Sequence, residues 1–174
     1  MMNLTQWENL MRQIVLATVN PPLARQNDFV RFTWNAPQAG WAYDLDVCFV
    51  SVTPEVSDIE RFRDQEYNNP TDTLKYTRVV RVDFIFYGTN AWENALNLKD
   101  ALNYHTNTDL LRQNNLALIT SSTSPVRMPE LFNTHWYNKC TYSASFNELV
   151  IKEYTENYIE TPVFELHTDP AMQE

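Results

Sequence analysis

Three observations predict an α+β fold, in which a mixed and largely antiparallel sheet is flanked by helices. Segments 76–87 and 137–150 alternate in side-chain character over 12 and 14 positions, the period of long strands. Leu4, Trp7, Met11, Ile14, Val15 and Thr18 recur at three- and four-residue steps, as do Ala91, Ala95, Leu98 and Leu102, which is the spacing of helices with one apolar stripe. Shorter apolar runs at 28–34, 46–53, 116–120 and 157–167 bring the total to five or six strands beside three helices. A chain of 174 residues buries roughly 70% of its unfolded surface, so one domain spanning 1–174 is expected without disulfides or metal.

The elements follow in order. The first helix spans 3–19 and is stopped by Asn20, Pro21 and Pro22, because proline lacks an N–H and pushes its predecessor out of the helical region. A core of sheet and helix occupies 28–150. Strands at 28–34 and 46–53 are neighbours, joined through the turn formers of 35–40. The near-continuous apolarity of the second marks an inner strand covered on both faces. Segment 54–75 has no sustained period and reads as a long connection, with a short helix over 57–67. In the next strand Val80, Val82, Phe84 and Phe86 share one face, while Arg81, Asp83, Ile85 and Tyr87 share the other. Gly88, Thr89 and Asn90 lead into a helix whose stripe Trp92 and Leu96 widen, and 109–115 forms a further helical turn. Segment 127–136 suits neither period. In the last long strand Tyr142, Ala144, Phe146 and Glu148 oppose Ser143, Ser145, Asn147 and Leu149. An acidic segment, 151–174, closes the chain with a strand at 157–167 that Pro162 confines to an edge. With only two glycines, tight two-residue hairpins are expected to be few.

Charge and cysteine content narrow the function classes. The net charge of −9 arises in 55–70, with five acids against two bases, and in 151–174, with six against one; 71–150 balances at seven each. No stripe of Lys and Arg is present to displace counterions from phosphates, which argues against tight nucleic-acid binding. Cys48 and Cys140 both lie in apolar strands and read as buried reduced thiols, excluding a disulfide scaffold. Residues 1–20 lack the basic and apolar regions of a secretion signal, and no apolar run reaches the ~18 residues that span a bilayer. Synthesis in a reducing cytoplasm, with no membrane partner, is expected.

A search for reactive groups finds little. His105, His135 and His167 stand far apart and outside any paired metal motif, although His105, His135 and Cys140 remain a set that folding would have to assemble. There is no Gly-x-Ser-x-Gly elbow and no phosphate loop. Asp44 with Asp46, and Glu55, Asp58, Glu60, Asp64 and Glu66, lack the ligand spacing of a calcium loop and read as solvated carboxylates. Neither a cofactor nor a metal is expected, and the chain reads as a non-enzyme. Trp34, Trp41, Tyr43, Trp92, Phe132, Trp136 and Tyr137 include several aromatics in loop-like segments, where they either anchor an interface or cap the ends of the core.

Ordered blocks carry a resemblance. Tyr76 to Val82 leading to Phe86, Tyr87, Gly88, Thr89, Asn90 and Ala95 form the first, and Arg127, Met128, Pro129, Glu130, Leu131, Phe132 and Asn133 with Trp136 the second. Phe146, Asn147, Glu148, Leu149 and Val150 complete the set, with Val30 to Trp34 and Val47 to Thr53 upstream. Together, over about 28–150, they resemble the phage neck terminator family. One departure is the scarcity of glycine around Trp136.

The resemblance implies a tail-terminator-like fold that assembles as a hexameric ring in the virion neck, at the head-proximal end of the tail. There it ends tail-tube polymerisation and joins the tail tube protein to the head connector or stopper protein, while DNA passes through the lumen without specific binding. Arg127, Pro129, Glu130, Phe132 and Trp136, with Arg78 and with Tyr67 of the 54–75 connection, are the candidate interface residues. Pro129 sets the backbone, Glu130 and Arg78 act as polar partners, and Phe132 and Trp136 are the anchors. Three rival readings stay open: an adaptor or stopper of the same neck, a small hydrolase using Asp64 or Glu66, and a ligand-binding module with an aromatic cavity.

Overall fold

The first helix, α1 (Leu4–Val19), is fixed at both ends by asparagine. The Asn3 side chain accepts from the Gln6 N–H at 2.9 Å and the Gln6 side chain accepts from the Asn3 N–H at 2.8 Å, a reciprocal cap. Asn20 ends the helix with φ 47°, a left-handed conformation that asparagine tolerates better than most residues. These features belong to a computed structural model that describes residues 2–32, 44–68, 71–119 and 123–155. The expected turn at 35–40, the aromatics Trp34, Trp41 and Tyr43, and the strand at 157–167 lie outside the described residues.

After a 3₁₀ turn (Leu23–Arg25) and the short α2 (Gln26–Phe29), β1 (Val30–Phe32) runs parallel to β2 (Val47–Glu55). This parallel pair makes the sheet mixed. Every other pairing among the described residues is antiparallel, with β3 (Arg63–Asn68) and β4 (Thr71–Tyr87) first in chain order. Helices α3 (Ala91–Ala101) and α4 (His105–Gln113) precede β5 (Leu116–Ile119) and β6 (Val126–Arg127). A small hairpin of β7 (Glu130–Phe132) and β8 (His135–Tyr137) then leads to β9 (Lys139–Thr155). The main sheet is ordered β1-β2-β4-β9-β5, with β3 also on β4 and β6 also on β9.

Strands β4 and β9 pair along all 17 residues and form its spine, roughly 55 Å long at the usual rise. Val80, Val82, Phe84 and Phe86 meet Tyr142, Ala144 and Phe146 on one face, and α1 and α3 cover that face with Trp7, Met11, Ile14, Ala95 and Leu98. The Trp7 ring meets Phe146 edge-on at 5.9 Å. The opposite face carries Phe49, Arg81, Asp83, Ile85 and Tyr87.

Several expectations are corrected by this arrangement. β2 is an inner strand between β1 and β4, but only Val47, Cys48 and Val50 are buried along it; Phe49 and Ser51, on the face away from α1 and α3, are half-buried. Segment 54–75 is not a long connection with a helix over 57–67. β2 continues to Glu55, one 3₁₀ turn (Asp58–Arg61) follows, and β3 then pairs with the first half of β4. Among the described residues α1 and α3 do not pack extensively on β3, so its sequence has no apolar face to reveal a period. Segment 127–136, with no readable period, contains β7 and β8. The helix expected over 109–115 starts earlier, at His105. In α3, Asn94 rather than Trp92 completes the buried stripe, and Trp92 faces outward.

Candidate assembly interface

The β7–β8 hairpin turns on two residues without glycine. Phe132 pairs with His135 and the loop between them is Asn133 and Thr134, whose φ values of 47° and 68° are both positive as a type I′ turn demands. The hairpin is delivered by β6, which is held on β9 by the pairs Val126–Thr141 and Arg127–Cys140 and by the Met128 N–H donating to the Lys139 carbonyl at 2.9 Å. Pro129 follows at once. It has no N–H to extend that ladder, so the chain leaves β9 there and begins β7.

Pleating gives the hairpin two faces. Glu130, Phe132 and Tyr137 share one. On it, the Tyr87 hydroxyl donates to Glu130 at 3.1 Å, Lys139 Nζ donates to the same oxygen at 3.0 Å, and the Tyr137 ring meets Tyr87 edge-on at 6.4 Å and Phe132 at 6.5 Å. Lys139 also lies 5.7 Å from the centre of the Tyr87 ring. The hydrogen bond from Lys139, reinforced by that from Tyr87, holds the Glu130 carboxyl below its usual range. Burial pushes the Tyr87 hydroxyl up. Leu131 and Trp136 face each other across the strands on the second face, which is open: they are 56% and 66% exposed. Met128, before the hairpin, and Phe132, on the first face, are exposed as well.

Five of the seven candidate residues, Arg127, Pro129, Glu130, Phe132 and Trp136, therefore fall in one short region; Arg127 donates to the Asn138 side chain at 3.2 Å. Arg78 and Tyr67 do not join them. Arg78 lies mid-way along β4 on the helix-covered face, bound to Glu148, and Tyr67 is an exposed residue of β3 paired with Asp72. Leu131 was missed by the sequence pattern, since only the cross-strand register sets it opposite Trp136.

The groups considered for catalysis are dispersed. Asp64 and Glu66 share one face of β3, where Lys75 binds Glu66 at 3.0 Å and has its own pKa raised chiefly by that bond. His105 pairs with Asp109 at 2.6 Å on the exposed side of α4, and Cys140 is a buried thiol whose pKa burial raises. No cluster of three metal-ligating side chains exists among the described residues. No helix among them is long and apolar enough to cross a membrane.

A family model for phage neck terminator proteins matches residues 6–169, from within α1 to beyond β9. The chain belongs to the phage neck terminator protein family. This neck terminator protein is a structural component of the bacteriophage virion, located at the neck. The match takes in the whole β6–β9 region, so the exposed hairpin lies inside the shared family sequence. No curated protein matches the neck terminator chain.

Proposed function

We propose that the chain is a single-domain ring subunit, assembled as a hexamer at the head-proximal end of the tail. The ring ends polymerisation of the tail tube protein and joins it to the head connector or stopper protein. The exposed Leu131–Trp136 face carries this reading. A hairpin held so firmly on one side, by Glu130, Tyr87 and Lys139, yet apolar on the other, is built to present an anchor to another protein. A ring is the closed form of a head-to-tail contact repeated with rotation, and it needs just such a fixed patch.

The charge pattern supports a lumen through which DNA slides. On the long strands Lys75, Arg78, Arg81 and Lys139 each have a carboxylate partner: Glu66, Glu148, Asp83 and Glu130. Cations so engaged do not form a track for phosphates, and the chain as a whole carries −9.

Native mass measurement at several concentrations, alone and with purified tail tubes, tests the reading. A closed multiple of 20.5 kDa that appears alone or on tube ends is expected, together with recovery of the chain from purified virions. A chain that remains monomeric in both settings and is missing from particles refutes it. The imaged position in the virion separates a terminator from an adaptor or stopper.

A further inference from the structure

The described residues carry a second exposed apolar patch, on the connection between β2 and β3. Val56 is fully exposed and Phe62 is 80% exposed, with Ile59 on the 3₁₀ turn between them. Pairing of Glu55 with Val79, and of Arg63 with Tyr76, sets this connection beside the middle of β4. The hairpin stands at the far end of the same strand, on Tyr87. Eight to eleven residues of strand separate the two patches, about 30 Å, so neither can cover the other within one chain.

We infer that the β2–β3 connection of one subunit receives the β7–β8 hairpin of the next, with Val56, Ile59 and Phe62 against Leu131 and Trp136. This inference rests on the ring reading and names the two surfaces that meet in it. Charge selects the occupant. Residues 55–62 carry three acids and one base, whereas 126–139 carry two bases and one acid in a chain that is otherwise strongly acidic. At the edges of the two patches, Arg127 is exposed and Glu60 is partly exposed, and neither makes an ion pair among the described residues. A hairpin-to-hairpin contact would set Arg127 against its own copy, and a connection-to-connection contact would set Glu60 against itself. The mixed contact opposes unlike charges at the rim of an apolar centre, the arrangement that steers association and fixes its register. It is also heterologous, using two different surfaces, as ring closure requires.

Single cysteines at the rim test the contact while leaving its apolar centre intact. Glu60→Cys and Arg127→Cys proteins are each assembled, alone and as a mixture, under the conditions in which the wild-type chain forms rings or caps tubes, and treated with a short bifunctional maleimide. The native thiols, Cys48 and Cys140, are buried and give little background. A dimer in the mixture, no dimer in either protein alone, and a ladder to the full ring in the double variant are expected. Charge reversal gives an independent reading: Glu60→Arg or Arg127→Glu should each weaken association by roughly fivefold, and the two together should restore it. Rings that form without the 60–127 cross-link, or that link only 127 to 127, overturn the inference and leave the ring reading standing. A wild-type chain that never assembles, even on tubes, overturns both.

Discussion

Glu148 on β9 stands directly opposite Arg78 on β4, and the two form an ion pair beneath the start of the first helix. Glu148 is 1% exposed on the helix-covered face. Arg78 Nε donates to one carboxylate oxygen at 3.1 Å, and the Met2 N–H donates to the other at 2.7 Å. One carboxylate thus ties the two spine strands to the segment that leads into α1.

Removing one partner should cost far more than removing both. Arg78→Ala leaves the carboxylate buried without its cation, which typically costs about 3–5 kcal/mol. Arg78→Met with Glu148→Leu replaces the pair by packing of similar volume and should cost much less. Urea denaturation of the single and double variants measures the difference. Equal losses would show that the ion pair contributes only through its packing.

Gly88 connects β4 to α3 with φ +107°, and a Cβ there would lie 2.4 Å from Asp46 Oδ1 and 2.6 Å from its Cα. Asp46 cannot withdraw freely, because its carboxylate accepts from the Asn90 N–H at 2.9 Å and from the Asn90 side chain at 2.7 Å. Gly88→Ala therefore meets both backbone strain and a close contact, and should lose at least about 2 kcal/mol. Thermal unfolding reads it directly. An unshifted midpoint would mean that the junction rearranges without cost.

Acid should loosen the hairpin. The Glu130 carboxyl is held below its ordinary 4.5, first by the hydrogen bond from Lys139 and then by that from Tyr87. A folded pKa below the unfolded one gives a contribution that is complete above the unfolded value and disappears as pH falls through the folded value. Tyrosine and tryptophan emission, followed from pH 7 to 3, should show a transition below 4.5 that Glu130→Gln abolishes. High salt should reduce its amplitude, since Glu130 is half exposed and the pair is screened. A transition unchanged by Glu130→Gln would assign it to another group.

What was legible in the sequence is what the helices cover. Val80 to Phe86 and Tyr142 to Phe146 alternate because α1 and α3 pack on one side of them, and α1 shows its period because Trp7, Met11, Ile14 and Val15 face the same core. Among the described residues no helix packs extensively on β3, so Arg63, Asp64, Gln65 and Glu66 carried no sign of a strand. The hairpin was hidden for another reason. Its turn is Asn133-Thr134, a β-branched residue at positive φ where glycine is the usual signal. Phe132 and Trp136 stood out as aromatics in an irregular segment, but neither the pairing of Leu131 with Trp136 nor the clamp of Tyr87 and Lys139 on Glu130 follows from residue types. Both depend on register and on contacts between distant strands.

That turn offers its own check. Thr134→Gly removes a Cβ from a conformation with φ 68° and creates the Asn-Gly pair that type I′ turns favour. Relief of strain at a β-branched residue should outweigh the added freedom of the unfolded chain, giving a net gain of roughly 0.5 kcal/mol. Amide exchange of β7 and β8 should slow accordingly. Faster exchange would indicate that the threonine side chain itself holds the turn, through contacts that glycine forfeits.

Trp136 separates folding from assembly. Its ring is two-thirds exposed in the isolated chain and lies on the face of the hairpin turned away from Glu130 and Tyr137. Substitution at such a surface position normally changes stability by no more than about 0.5 kcal/mol. An aromatic anchor in a filled interface costs about 2 kcal/mol or more on truncation, equivalent to a loss of roughly thirtyfold in association. Trp136→Ala should therefore unfold at the wild-type urea concentration yet fail to assemble at concentrations where the wild type does. Loss of both together would make Trp136 part of the fold, and loss of neither would remove the hairpin from the interface. Leu131→Ala, its cross-strand neighbour, should reproduce the pattern more weakly, because it withdraws less apolar area from the same face.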